Sequence, residues 1–167
     1  MRGCVKRIGV AKGIYWSPKK SDIFEIKTTI KKGSGKLLIN GNIGYQLLIT
    51  IENVIYLFKD RNLNKLDIEI KFPKELEGSS AGLPLFMSLY SALNKKSIDQ
   101  SIAYTGEVNK SGSVLAVDAI NEKILAAIDA GIKCIVIPRN NLDELPFKCV
   151  GALFCCVNKV KDSIEII

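Results

Sequence analysis

Histidine is absent from this chain of 167 residues. Without an imidazole, the chain cannot build a Ser-His-Asp or Cys-His catalytic centre, a His-ligated zinc site or a histidine pH switch. Any general base must therefore be a lysine, a carboxylate, a tyrosine or a thiolate. This absence leaves few kinds of catalytic centre to look for.

The cysteines do not form a disulfide or metal-binding pattern. They are odd in number, include no C-x-x-C pair, and lie at Cys4, Cys134, Cys149, Cys155 and Cys156. Two of them are adjacent in an apolar stretch, so we expect small buried residues in a reducing compartment rather than a disulfide framework. Because histidine is also missing, we expect no metal site.

Long apolar runs and nucleotide-binding loops are missing too. No stretch approaches the roughly 20 apolar residues of a membrane helix, and residues 1–7 lack the apolar core of a signal peptide. No G-x-x-x-x-G-K-[ST] occurs. The net charge is +7, from 24 Lys and Arg against 17 Asp and Glu, but the lysines are scattered with few aromatic residues among them. We therefore expect a soluble cytoplasmic protein with no membrane or nucleic-acid partner.

The hydrophobic pattern predicts strands and helices that do not alternate regularly. Strands are predicted at 7–16, 23–30, 36–39, 67–72, 102–105, 114–117, 134–137 and 152–157, the fourth of them ended by Pro73. Helices are predicted at 45–61, 81–93, 121–130 and from 160 onward. Asn141 and Glu144 fit the capping box of a further short helix. This pattern predicts a single mixed-sheet domain of the α/β (α+β) class.

Small residues fill the loop that enters the second predicted helix, Gly78-Ser79-Ser80-Ala81-Gly82. Such a loop lets the backbone approach a ligand closely, and a helix start offers unpaired N–H groups to an oxyanion or a phosphate. A serine at this position is either the N-cap of the helix or a nucleophile. The loop alone does not decide between these two interpretations.

Lys123 lies at the border of an apolar helix face formed by Ile120, Ile124, Ala127 and Ile128. A lysine there either extends its ammonium group to solvent or remains partly buried. Burial would lower its pKa and make the neutral amine a usable base. In a chain without histidine, such a lysine is a candidate for activating a serine hydroxyl.

Five blocks occur in a fixed order: 77–82 (EGSSAG), 104–108 (YTGEV), 112–115 (GSVL), 122–127 (EKILAA) and 130–138 (AGIKCIVIP). In order and spacing they resemble the proteolytic domain of the Lon protease family, in which the nucleophile and the base are separated as Ser80 and Lys123 are here, by 43 residues. The segments 8–13 (IGVAKG), 33–37 (GSGKL) and 41–44 (GNIG) are also similar. The resemblance covers 8–167 and leaves 1–7 as an N-terminal extension.

The resemblance implies a mixed-sheet Lon-type fold and a serine endopeptidase that cleaves unfolded or small protein substrates. It implies that Ser80 is the nucleophile and Lys123 the general base, and that the Thr105 hydroxyl helps to hold the lysine amine. Backbone N–H groups around Ser80 and Ala81 would stabilise the oxyanion, and Glu77 would lie near the mouth of the site. It further implies a hexameric ring.

The chain departs from the family pattern in four places. Ser79 replaces a proline, Glu77 an aspartate and Asp118-Ala119 a Gly-Gly pair, and Pro84 is unusual in its helix. An ATPase domain is absent, which fits a shortened chain, a separate ATPase partner or an independent peptidase. We therefore expect no cofactor in this chain, and ATP only where an ATPase domain or partner is present.

Two other functions are considered. A Lon-like domain can serve as an inactive assembly or regulatory module, although Ser80 and Lys123 are both present here. The Gly-Ser-Ser-Ala segment also resembles the phosphate loop of GHMP-type small-molecule kinases. That kinase interpretation leaves the 104–108 block and Lys123 unexplained.

Overall fold

The structure, a computed structural model, describes residues 4–145 and 151–167. The strands of the described part are β1 (Lys6–Ile8), β2 (Val10–Trp16), β3 (Ser21–Lys32), β4 (Leu37–Ile43), β5 (Leu66–Leu76), β6 (Ser97–Asp99), β7 (Ile102–Tyr104), β8 (Glu107–Val108), β9 (Val114–Leu115), β10 (Cys134–Pro138) and β11 (Leu153–Val157). Its helices are α1 (Tyr45–Tyr56), α2 (Gly82–Asn94), α3 (Ile120–Asp129) and α4 (Val160–Ile164). Within these residues, no helix has the length and apolar character needed to cross a bilayer.

Seven strands form one mixed sheet in the order β11-β10-β7-β2-β3-β5-β4. β3 is antiparallel to both of its neighbours, β2 and β5. The other neighbouring pairs of the sheet are parallel. Two small antiparallel pairs, β1 with β6 and β8 with β9, lie outside it. This arrangement confirms the mixed-sheet α/β class predicted from the sequence.

The helices cover both faces of the sheet. Side chains of one face, among them Ala11, Ile26, Tyr104 and Val136, pack in a core with α1 and α2. The alternate positions Ile14, Ala103, Ile135 and Ile137 pack in a second core with α3. Because successive strand residues point to opposite faces, the two cores lie on opposite sides of the sheet.

The chain runs through two crossovers, from β5 through α2 to β7 and from β7 through α3 to β10. The three strands are parallel to one another, so both helices begin at the edge where the strands end. Both crossovers step in the same direction along the sheet but on opposite faces, and they therefore have opposite hands. One of them departs from the usual right-handed connection.

Several predicted boundaries are wrong: β3 and β4 extend to Lys32 and Ile43, and the ends of α1 and β5 also differ. The first helix ends at Tyr56 because its following turns close with i to i−3 bonds, such as Leu57 N–H to Val54 O at 3.1 Å. Strand β5 continues through Pro73 to Leu76. The register of the β4–β5 pairing shifts between Asn40 and Asn42, and Pro73 lies opposite this shift. Because the hydrogen-bond ladder is irregular there, the missing N–H of the proline does not end the strand.

The cysteines differ in part from expectation. Cys4 is exposed and the other described cysteines, Cys134, Cys155 and Cys156, are only partly buried; Cys149 lies outside the described residues. The thiols of Cys134 and Cys155 are 3.6 Å apart, on neighbouring strands. Burial raises the pKa of Cys134 to about 12, so this thiol is kept protonated and unreactive.

Candidate active site

The serine loop, residues 77–82, connects the end of β5 to the start of α2. Gly78 has φ of 95°, a conformation that favours glycine and turns the chain into a short 3-10 helix, Ser79–Ala81. Helix α2 starts directly afterwards with Gly82, and Pro84 lies in its first turn, where a proline is tolerated. The loop therefore carries both serines to the amino end of a long buried helix.

Backbone contacts fix the serine loop against the segment that follows β7. Gly106 donates its N–H to Ser80 O at 3.1 Å, and its carbonyl accepts the N–H of Leu83 at 2.9 Å. Gly82 lies so close to Val108 that a Cβ on Gly82 would be 2.8 Å from the Val108 nitrogen. The absence of a side chain at Gly82 thus permits this close approach.

The two adjacent hydroxyls have different surroundings. Ser79 donates its hydroxyl to the Glu107 carboxylate at 2.7 Å. In the part of the chain that the structure describes, the Ser80 hydroxyl has no hydrogen-bond partner and is half-buried. The N-cap of α2 is Ala81, and no side chain of the described residues caps this helix. The interpretation of the serine as an N-cap is therefore wrong, since neither hydroxyl caps the helix.

Lys123 is buried, with an exposed fraction of only 6%. It lies in the first turns of α3, where its N–H bonds Ala119 O at 3.0 Å, and Ala119 itself has φ of 54°. Burial lowers the pKa of Lys123 from its ordinary 10.5 to about 8, while the negative charge of Asp118 opposes this shift. The alternative of a lysine that extends to solvent is thus wrong.

Thr105 lies between the two helix starts. It follows β7, is fully buried, and donates its N–H to Val136 O at 3.0 Å. Its hydroxyl has no partner among the described residues. By strand alternation Thr105 points to the same face as Ala103, which is the face that α3 covers.

The topology brings Ser80, Thr105 and Lys123 to one edge of the sheet, where β7 and β10 end. Ser80 reaches this edge from the α2 face through its bond with Gly106, and Lys123 reaches it from the α3 face. Within the described residues, no hydrogen bond joins the Ser80 hydroxyl to the Lys123 amine. Open α/β sheets bind ligands at this carboxyl edge.

Glu77 and Ala81 lie on either side of the two serines. Glu77 is exposed, and its side chain covers Gly44 at the start of α1. It also lines a cavity of about 280 Å³ together with Tyr15, Asn42 and Glu75. Ala81 is buried and packs in the core of the α2 face. Glu77 is thus accessible to solvent beside the two serines, whereas the Ala81 side chain is buried.

Asn141 has a role that the sequence did not predict. Its side chain accepts the Val117 N–H and donates to Val117 O, both at 2.9 Å, and is fully buried. The same amide also donates to Glu144 at 2.8 Å. The predicted capping box is wrong, because Asn141 fixes the segment before α3 instead of capping a helix. A local pattern could not identify a partner 24 residues away.

The described residues contain no group of three or more His, Cys, Asp or Glu side chains that could hold a metal ion. The serine loop also does not suit a phosphate. The Glu107 carboxylate lies 2.7 Å from the Ser79 hydroxyl, so a negative group lies beside the start of α2. This negative charge opposes a doubly charged phosphate at the helix start more strongly than it opposes the single negative charge of an oxyanion.

The comparison with known proteins agrees with this geometry. The family described as "Lon protease (S16) C-terminal proteolytic domain" matches residues 3–166. The Lon protease of Methanosarcina barkeri is 38% identical over 152 residues, which is 83% of this chain and 19% of that protein. The Lon protease of Geobacter metallireducens is 30% identical over 94% of this chain and 21% of that protein.

A third relative, the Lon protease of Methylocella silvestris, is 33% identical over 93% of this chain and 21% of that protein. The chain thus spans about a fifth of the length of the curated relatives it matches. The resemblance seen in the five sequence blocks is confirmed, since the family match extends over nearly the whole chain. The chain belongs to the family of Lon protease proteolytic domains.

Proposed function

We propose that this chain hydrolyses peptide bonds with Ser80 as nucleophile and Lys123 as general base. The observation that carries the proposal is a buried lysine with a lowered pKa at the same sheet edge as a serine hydroxyl that has no hydrogen-bond partner among the described residues. A general base works best when its pKa is close to the working pH. A pKa of about 8 meets this condition, whereas an exposed lysine would be protonated and inactive.

In the proposed reaction, the neutral Lys123 amine accepts the proton of the Ser80 hydroxyl as Ser80 Oγ attacks the peptide carbonyl carbon. Backbone N–H groups around Ser80 and Ala81, at the positive end of α2, stabilise the oxyanion. The Lys123 ammonium then gives its proton to the leaving amine. Water hydrolyses the resulting ester on Ser80, with Lys123 again accepting a proton, and restores both residues.

Thr105 is proposed to hold the lysine amine during this cycle. Its hydroxyl is fully buried and unpaired in the described structure, and a buried hydroxyl without a partner is unfavourable. The Lys123 amine reaches the same sheet edge from the face towards which Thr105 points. A hydrogen bond between the two would satisfy Thr105 and orient the amine towards Ser80.

Assembly into a homo-oligomeric ring, with a hexamer as the proposed form, is supported by the outer face of α1. Four large apolar side chains of this helix are exposed: Tyr45, Leu48, Ile49 and Tyr56. A monomer seldom leaves such a cluster in contact with water. The substrates are proposed to be unfolded or small proteins, delivered by an ATPase domain or partner where one is present.

The two alternatives have weaker support. An inactive Lon-like module would not need a lysine whose burial lowers its pKa to about 8. A GHMP-type kinase would need a phosphate site at the start of α2, where the Glu107 carboxylate lies instead.

Hydrolysis of casein and of a fluorogenic peptide tests the proposal. We expect Ser80→Ala and Lys123→Met to abolish turnover, whereas the exposed controls Ser111→Ala and Lys161→Met retain it. The rate should rise with pH through about 8, since only the neutral amine accepts a proton. A serine-reactive phosphonofluoridate should label Ser80. A rate independent of pH, labelling of another serine, or an active Ser80→Ala variant contradicts the proposal.

A further inference from the structure

Glu107 contacts the residue directly before the proposed nucleophile. Its carboxylate accepts the Ser79 hydroxyl at 2.7 Å in a partly buried position. Hydrogen bonds to an ionised carboxylate are about twice as strong as those between neutral groups. The bond therefore fixes Ser79 and also prevents its hydroxyl from competing with that of Ser80.

The strand that carries Glu107 is itself fixed from three directions. β8 pairs with β9, with Glu107 opposite Leu115. The Val108 carbonyl accepts an amide N–H of Asn53, on α1, at 3.3 Å. Gly106, directly before β8, makes the two backbone bonds that hold the serine loop. Glu107 is thus anchored firmly enough to position another group.

The same strand pair also leads to the lysine. β9 ends at Leu115, and the chain then passes Val117, held by Asn141, and enters α3 with Lys123 in its first turns. β8 therefore contacts the serine loop, and the chain that continues from its partner strand β9 sets the start of α3, the helix that carries Lys123. A shift of the serine loop relative to β8 would therefore change the distance between the Ser80 hydroxyl and the Lys123 amine.

We propose that Glu107 is a positioning residue that acts through the Ser79 hydroxyl to hold Ser80 in the orientation needed for attack. The inference rests on the proposed function, because it assigns a role towards the same nucleophile. Glu107 does not exchange a proton with the substrate. It keeps the 3-10 turn of the serine loop in contact with β8. Ser80 Oγ then points along the sheet edge towards Lys123.

Kinetic analysis of matched variants tests this role. Ser79→Ala should lower kcat about tenfold, as expected for loss of one hydrogen bond to a charged group, and leave KM within about twofold. Ser79→Thr, which keeps the hydroxyl, should restore most of kcat. Adding Glu107→Gln to Ser79→Ala should cause no further loss, because the two residues act as one pair. Glu52→Gln and Ser111→Ala, both at exposed positions, are the controls.

Hydrogen exchange separates this inference from the proposed function. The amide of Leu83, bonded to Gly106, should exchange at least about fivefold faster in Ser79→Ala than in the wild type and Ser79→Thr. This result would support the positioning contact even if no peptide were cleaved, in which case only the proposed function fails. Unchanged exchange and unchanged kcat in Ser79→Ala, or additive losses in the double variant, would overturn the inference.

Discussion

The burial of Lys123 has a consequence for stability that does not depend on catalysis. A charged ammonium inside the protein is unfavourable, and the drop of the pKa of Lys123 from 10.5 to about 8 expresses that penalty. At about 1.4 kcal/mol for each pH unit, it corresponds to about 3 kcal/mol. Replacing Lys123 with methionine, which is unbranched, apolar and similar in length, removes the charge and retains the packing.

The effect of the substitution should depend on pH in a defined direction. Below about pH 8, Lys123 is protonated in both the folded and the unfolded state, so the folded state bears the full penalty. Between about 8 and 10.5 the unfolded state binds more protons, and the stability of the wild type therefore rises with pH. Above 10.5 the amine is neutral in both states and the penalty is gone.

Urea unfolding of the wild type and Lys123→Met at several pH values measures this difference. At pH 6.5 we expect the free energy of unfolding of the variant to exceed that of the wild type by up to about 3 kcal/mol. This difference should fall by about 1.4 kcal/mol per pH unit above pH 8. Lys161→Met, at an exposed position of α4, should show no such trend. A difference between Lys123→Met and wild type that is the same at pH 6.5 and 10 would refute the assignment of a buried, depressed lysine.

Two further substitutions test the supports of the site. Gly82→Ala places a methyl group 2.8 Å from the Val108 nitrogen, so we expect a loss of about 1–3 kcal/mol in urea unfolding and at least tenfold lower peptide turnover. Turnover equal to the wild type would show that the serine loop does not need its close contact with β8. Asn141→Ala leaves both polar groups of Val117 unpaired, and we expect about 2–4 kcal/mol of destabilisation, against less than about 0.5 kcal/mol for the exposed neighbour Asn140→Ala. Equal unfolding midpoints for the two asparagine variants would contradict the role of Asn141.

The sequence predicts best those elements whose apolar residues repeat regularly along the whole element. Helices α2 and α3 fall within about one residue of their predicted ranges, because each has a continuous apolar face. Strand β5 extends beyond its prediction because the rule for proline assumes a regular ladder. The irregular pairing with β4 could not be seen without the partner strand.

Side-chain roles were less predictable than elements. Asn141 with Glu144 has the spacing of a capping box, yet the Asn141 side chain bonds the backbone of Val117. Similarly, a serine before a helix is usually an N-cap, whereas here Ser79 donates to Glu107. In both cases a long-range partner outcompetes the local one, and sequence spacing contains no information on such partners.

The relative placement of the two proposed catalytic residues depends on a feature that local patterns cannot supply. If both crossovers were right-handed, α2 and α3 would lie on the same face of the sheet, and Ser80 and Lys123 would approach the edge side by side. Because the crossovers have opposite hands, the two helices begin on opposite faces, and the end of β7 lies between them. Thr105 and Gly106 occupy that end, where Gly106 bonds the serine loop and Thr105 points to the lysine face. The short segment after β7 is therefore the element through which a serine and a lysine, 43 residues apart in sequence, are set at one edge.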